Sequence, residues 1–392
     1  MGLARNVKIF IFCSLILIIC YLHIGTITQI KKEFDWSNYT NIPFSGYSFP
    51  KTYDATYNLS KTPVYAVTDD VKTWFGHNLS FPQTLDTDFV INPSALCPRD
   101  TWLDYLLVVK SAPSNFLRRQ FIRATFGRRD LFGHLTQRLV FLLGMREDKD
   151  DEAGRNFTEQ FRKENDTFND IIQGPFIDSY RNLTLKGVMG LRWMSLHCHK
   201  VKVVVHIDDD VFFNIFRFVT SWLPKLSTKN RLIACSYTPK DNKPIERNQT
   251  RWIVRESEFR NLTHYPFNHC NGFFVMIPGH MVRHMLSAAT VNPTFWIDDI
   301  YLYGMLPHTI GDVQFVWSGM TFKFEKMIKC INDEGVNCDM VFCEFRWGGF
   351  DKQWVHLRAR LWTSLISNLT QIQRSELHFN EFISFTNVPA SK

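Results

Sequence analysis

The stretch VKVVVHIDDDVFFN, residues 201–214, sets an aliphatic run of core-strand character directly against three consecutive carboxylates, Asp208, Asp209 and Asp210. A run that is apolar on both faces belongs in a strand covered on both sides, as in the parallel sheets of α/β folds. Ligands in such sheets lie in the crevice beyond the carboxyl ends of the strands. The three acids fall at such an end. Packed like charges raise one another's pKa unless a cation neutralises them. Oxygen ligands of this kind suit Mg²⁺ or Mn²⁺, which share octahedral coordination with substrate phosphates. The alternative is an acidic turn with solvated side chains.

Outward from this stretch the same alternation continues. YLLVVKS (105–111) and RLVFLLG (138–144) read as strands, SNFLRRQFIRATFG (114–127) as a helix, and Leu185 through Val188, Met189, Trp193 and Leu196 as a second helix leading into the acidic strand. Strands separated by helices predict one α/β domain with a mostly parallel sheet. A second acidic feature, WIDDIYLYG (296–304), sets Asp298 and Asp299 among apolar residues. Apolar surroundings push a carboxylate's pKa toward what a general base needs near neutral pH. Capping of the helix that begins there is the competing role. The later stretch 351–371 reads as an amphipathic helix packed on this domain.

The N-terminus speaks to compartment. Arg5 and Lys8 precede an apolar run from Ile9 to Ile27, of bilayer-spanning length and with no small-residue cleavage pattern after it. Residues 1–8 are therefore expected as a cytoplasmic tail, 9–27 as an uncleaved signal anchor, 28–97 as a lumenal stem and 98–392 as the catalytic domain. Glycosylation sequons begin at Asn38, Asn58, Asn78, Asn156, Asn165, Asn248, Asn261 and Asn368, while that at Asn182 opens a core helix and is set aside. Beyond the anchor the cysteines are Cys97, Cys198, Cys235, Cys270, Cys330, Cys338 and Cys343. An odd number implies disulfides plus at least one free or intermolecular thiol, with a zinc site at the last three as the alternative. His197 and His199 in HCH stand too close in sequence for both to face one metal from a helix. The net charge of +7 is spread along the chain rather than gathered in a stripe, which argues against nucleic acid as a partner.

Six segments in order carry a specific resemblance: KSAPSNFLRRQFIRATFG (110–127), LVFLLG (139–144), DIIQGPFIDSYRNLTLKGVMGLRW (170–193), DDDVFFN (208–214), YPFNHCNGFFVM (265–276) and IDDIYLYG (297–304). Over residues 105–306 the chain resembles the beta-1,3-galactosyltransferase and beta-1,3-N-acetylglucosaminyltransferase family, glycosyltransferase family 31. The resemblance implies a GT-A fold and an inverting transfer from a UDP-sugar to a glycan, with Asp208, Asp209 and Asp210 holding Mn²⁺ against the diphosphate. It implies Asp299 as the base with Asp298 beside it, and Arg119, Arg123 and His206 at the donor. Tyr265 and Gly272 would then border the acceptor or donor sugar. It also implies a Golgi membrane protein whose catalytic domain is lumenal, acting on glycoprotein or glycolipid glycans.

The chain departs from the family pattern in places. His206 stands where Lys is usual, Phe126 where Trp is usual, Asp298, Asp299 and Ile300 where E-D-V is usual, and the Tyr265–Gly272 segment is one residue longer. The change in the Tyr265–Gly272 segment, which would border the sugar, touches sugar choice before catalysis. Galactose is the expected sugar, N-acetylglucosamine the alternative, and a catalytically silent glycan-binding homologue the reading from another class. A metal-dependent phosphoesterase is compatible with the acids alone.

Overall fold

The strand predicted over the opening stretch is present as Val201–Asp208 (β4), and it occupies the middle of the sheet. The computed structural model describes residues 63–76, 79–147, 151–228, 231–248, 251–344 and 351–369. The expected anchor over 9–27 and the sequons at Asn38, Asn58 and Asn78 lie outside the described residues. No helix among the described residues is long and apolar enough to cross a membrane.

The central sheet contains Leu103–Lys110 (β1), Gln137–Met145 (β2), Ile171–Ile177 (β3), β4, Leu232–Thr238 (β6), His269–Pro278 (β7) and Gln314–Trp317 (β8), in the order β3-β2-β1-β4-β7-β6-β8. β2, β3, β4 and β1 run parallel, as do β6 and β8, and β7 alone opposes its neighbours. That is the mostly parallel α/β arrangement expected. A second, small sheet pairs Val211–Phe213 (β5) with Phe342–Glu344 (β10), which in turn pairs with Met320–Thr321 (β9).

Burial explains the aliphatic runs. β4 is enclosed from Val203 to Ile207, and the crossover helix Leu183–His197 (α4) buries Leu185, Val188, Met189, Leu191 and Trp193 against the same core. Each fully buried side chain of this size contributes about 1.5–3 kcal/mol. The helix Phe116–Ala124 (α2) follows β1, and Glu152–Phe168 (α3) precedes β3. Part of the span read as a stem joins this core, since the helix Asp69–Phe75 (α1) buries Val71 and Trp74, and Trp74 packs on Phe259 and Phe267. The helix Asp351–Ser367 also packs inward, with Trp362 stacked on Phe216.

Three disulfides, Cys97–Cys198, Cys235–Cys270 and Cys330–Cys338, fasten the domain and leave Cys343 as a buried free thiol. Cys330 and Cys338 are thus spent on each other rather than on zinc. Asn156, Asn248, Asn261 and Asn368 are exposed, and Asn165 is half-buried on α3.

Between α2 and α3 lies a buried ionic knot. Arg119 donates to Glu164 at 2.8 and 2.7 Å, and Arg123 reaches Glu164 at 2.6 Å and Asp170 at 2.9 and 2.7 Å. Burial raises the Glu164 carboxyl, but Arg119 and Arg123 outweigh it and hold the group below its ordinary 4.5. Its stabilising contribution is therefore in place above that pH and is lost as pH falls through the lowered folded value. Removing one partner strands the others in the core. Glu164→Ala is expected to lower stability by about 3–5 kcal/mol in urea titration at neutral pH; a loss below about 1 kcal/mol contradicts the assignment of a structural knot.

Candidate active site

Parallel register carries Lys110 of β1 directly opposite Asp208 of β4, so both side chains emerge on one face at the carboxyl end of the sheet. The Lys110 ammonium is buried and touches three oxygens: Asp208 Oδ1 at 3.0 Å, Asp298 Oδ2 at 2.9 Å and the carbonyl of Gly272 at 2.9 Å. Burial alone lowers a lysine's pKa. Asp208 and Asp298 outweigh it and raise Lys110 well above its ordinary 10.5, so the cation persists. One side chain thus draws together the acidic strand end, the second acid pair and the Tyr265–Gly272 segment. The sequence reading missed this residue, although the apolar run LLVVK ending in one charge carries the same signal as the acidic strand.

The three acids at the end of β4 part ways. Asp209 turns inward and accepts from Ser111 Oγ at 2.6 Å, Asn115 Nδ2 at 2.8 Å and Arg118 Nη1 at 2.9 Å. The loop and helix that follow β1 engage both of its oxygens and bury it, so it serves as an anchor rather than in the expected role of a metal ligand. Asp208 and Asp210, with side chains 35% and 45% exposed, face the crevice. Burial pushes the Asp208 carboxyl up to about 7, Lys110 opposes that, and the charges of Asp210 and Asp298 add to it. Asp210 is also raised, first by burial and then by Asp209. Asp208 Oδ1 is a buried oxygen that makes an ion contact with Lys110 but no hydrogen bond. Two hard oxygen ligands of this kind fit Mg²⁺ or Mn²⁺, which take one or two protein carboxylates and fill the rest with water and phosphate.

Asp298 and Asp299 open the helical turn Asp298–Ile300, yet they differ in surroundings. Asp298 is committed to Lys110. Asp299 accepts from the Ile300 amide at 2.8 Å, and its other oxygen lies 3.6 Å from Lys243 Nζ. Burial raises its pKa above 3.8, Lys243 opposes this, and Asp298 reinforces it. Gly272 explains how β7 approaches: a Cβ there meets the Asp299 Cβ at 3.0 Å. Gly272 thereby lies against both acids of this pair.

The remaining expected contacts are corrected. Arg119 spends its donors on Glu164, Ser111, Ala112 and Pro113, and Arg123 on Glu164 and Asp170. These guanidiniums brace the loop after β1 and α3, and their donors are committed to protein partners rather than left for the donor as expected. His206 lies inside the sheet with Nδ1 hydrogen-bonded to Tyr303, and burial, aided by Lys110, lowers its pKa to about 3. It is a neutral core residue behind the acids, not a donor contact. Tyr265 is enclosed by Phe259, Phe267, His269 and Phe295 and is buried in the core, rather than exposed to border a sugar. A cavity of about 270 Å³ lined by Lys240, Phe267, Asn268, His308, Asp312 and Phe315 contains none of the acids and lies apart from this site.

Separate roles for neighbouring aspartates give a direct comparison. Asp209→Ala removes the shared acceptor of Ser111, Asn115 and Arg118 and should cost about 3 kcal/mol in denaturant unfolding, whereas Asp210→Ala, at a side chain 45% exposed and 3.6 Å from Arg118, should cost clearly less. Equal losses for both contradict the division.

Relatives of known name share this framework. A family profile described as Galactosyltransferase matches residues 117–314. An acetylgalactosaminyl-O-glycosyl-glycoprotein beta-1,3-N-acetylglucosaminyltransferase of Homo sapiens is 30% identical over 211 residues, 53% of each chain. Beta-1,3-galactosyltransferase 1 of Mus musculus is 28% identical over 233 residues, 59% of this chain and 68% of that one. The match spans about half the length of the first of these relatives. Among solved structures, a galactosyltransferase in complex with donor and acceptor sugar analogues covers 65% of this chain and 95% of its own at 13% identity and a TM-score of 0.31. A bifunctional glycosyltransferase, WbbM, covers 67% of this chain and 51% of its own at 11% identity and a TM-score of 0.33. Likenesses that loose say nothing about mechanism. The profile match takes in the acidic strand, the loop through Gly272 and the second acid pair, and on that match the chain belongs to the galactosyltransferase family.

Proposed function

We propose that the protein is a UDP-sugar-dependent beta-1,3-hexosyltransferase that inverts the anomeric centre and uses Mn²⁺ with the GT-A fold. The observation that carries this reading is the Lys110 bridge, which sets the D-x-D pair Asp208 and Asp210 against the Asp298–Asp299 pair at one crevice. The first pair suits the donor diphosphate and the second the acceptor. Galactose is the favoured donor sugar. N-acetylglucosamine is the second reading, favoured by the relative at 30% identity that is named for it.

The residues then divide the reaction. Asp208 and Asp210 would hold the metal, which when bound supplies positive charge to the departing UDP. Asp299, the less committed acid of its pair, accepts the proton of the acceptor hydroxyl as that oxygen forms its bond to the anomeric carbon. The bond from that carbon to the UDP oxygen breaks in the same displacement, and UDP leaves with the electron pair. A single displacement from the opposite face inverts the centre without a covalent intermediate on the protein. Lys110 acts as a positioning residue, because its ammonium fixes Asp298 and with it the turn that carries Asp299.

We also assign the protein to the Golgi membrane as a single-pass type II protein, with residues 9–27 as anchor and residues 98–392 as the lumenal catalytic domain. The apolar N-terminal run supports this, and so do three disulfides, which persist in oxidising compartments.

The test is UDP release by the purified full chain from UDP-galactose and UDP-N-acetylglucosamine, across a panel of acceptor sugars. Release should require acceptor, cease with EDTA and return with Mn²⁺. Asp299→Asn and Asp210→Asn should each lower kcat at least about a hundredfold, the scale of losing a general base or a charge-stabilising group. Turnover that survives both changes contradicts the residue roles. Because Asp299 acts only when ionised and its pKa is raised above 3.8, activity should fall as pH drops, with a midpoint above 3.8 that Asp299→Asn removes. An acid limb at or below 3.8 contradicts that role for Asp299.

A further inference from the structure

Two residues before Asp298, Trp296 forms part of an exposed shelf that the mechanism above does not use. Three separate segments build it: the turn after β3 supplies Tyr180 and Arg181, the loop between β6 and β7 supplies Arg251 and Trp252, and Trp296 leads into the acid pair. The Trp252 indole donates to the Tyr180 hydroxyl at 2.8 Å, and the Tyr180 and Trp296 rings meet edge to face at 6.3 Å. Tyr180 and Trp252 are 41% and 47% exposed, although rings of this size are ordinarily packed away. Exposed apolar surface held in fixed geometry and rimmed by polar groups marks a binding site more often than a chance patch.

The arginines give the shelf its chemistry. Arg181 lies 3.7 Å over the Trp296 ring, and Arg251 lies 4.1 Å over Tyr180 and 5.9 Å from Trp252. Neither is ion-paired to a carboxylate among the described residues, in contrast with Arg119 and Arg123. Stacking on a ring orders the guanidinium while leaving its donor edge available, and that planar fork matches a carboxylate or sulfate. Burial raises the Tyr180 pKa, the Trp252 hydrogen bond and Arg251 oppose it, and the charges of Asp298 and Asp299 add to it, so the shelf lies within electrostatic reach of the acids.

We infer that this shelf is a subsite for an anionic acceptor glycan, in which sugar faces pack on Tyr180, Trp252 and Trp296 while Arg181 and Arg251 grip a carboxylate or sulfate on the chain. The inference deepens the transferase reading and rests on it for the word acceptor, but the binding it describes needs no donor and no metal.

Its test is therefore binding by the full chain without UDP or metal. The probes are a neutral galactose-terminated oligosaccharide, its sulfated form and a form in which one residue is a uronate, each titrated calorimetrically. At least one anionic form should bind about tenfold more tightly than the neutral form, the scale of one charged hydrogen bond. The arm that gains identifies the anion. In the double variant Arg181→Gln and Arg251→Gln the ratio of anionic to neutral affinity should fall toward one, with the thermal midpoint held to show that the fold is intact. Equal binding of all three probes, no binding of any, or a ratio unchanged in the double variant overturns the proposal. UDP titrated with Mn²⁺ into the same sample separates the two ideas, because the transferase reading can stand or fall on that result while the shelf is judged on the oligosaccharides.

Discussion

The buried ammonium of Lys110 is the contact on which the architecture of the site depends. It binds an acid from β4, an acid from the turn before the Tyr301–Met305 helical segment and a carbonyl from β7, so three elements distant in sequence converge on one group. Without that cation, Asp208 and Asp298 would bring like charges together at one crevice with no opposite charge between them. With it, two acidic features that repel one another are kept at a common crevice.

A second set of cations does similar work behind the site. Arg118 satisfies Asp209 at 2.9 Å and lies 3.6 Å from Asp210, while Arg119 and Lys186 hold the carbonyls of the loop after β1. The run of three aspartates is thus not a simple metal cage. Its middle member anchors the loop, and the two outer members keep oxygens toward the crevice. The strand ends at Asp208, and the turn that follows carries Asp209 inward and Asp210 outward.

Much of this was legible in the sequence, for physical reasons. Uninterrupted aliphatic runs such as Val203 to Ile207 admit few placements other than a strand buried on both faces, and their spacing from helical segments implied parallel connections. The acids were conspicuous because charge beside core residues is costly. What the sequence did not disclose was which way each polar side chain turns. Arg119 and Arg123 resemble phosphate ligands until α3 is found to bring Glu164 against them across 45 and 41 residues. His206 marked a departure from the family, but only the register of β1 with β4 reveals that Lys110 supplies positive charge beside it. Tyr265 shows the same limit, since its enclosure depends on Phe259 and Phe295 from other segments.

The central claim is that the outer acids of the β4 cluster hold a nucleotide diphosphate through a divalent cation, while the Asp299 turn serves a separate function. Calorimetric titration of UDP into the full chain tests it most directly. The account predicts binding that requires Mn²⁺, is abolished in Asp208→Asn and is retained in Asp299→Asn. UDP binding that is indifferent to metal, or that is lost in Asp299→Asn while surviving in Asp208→Asn, would contradict it.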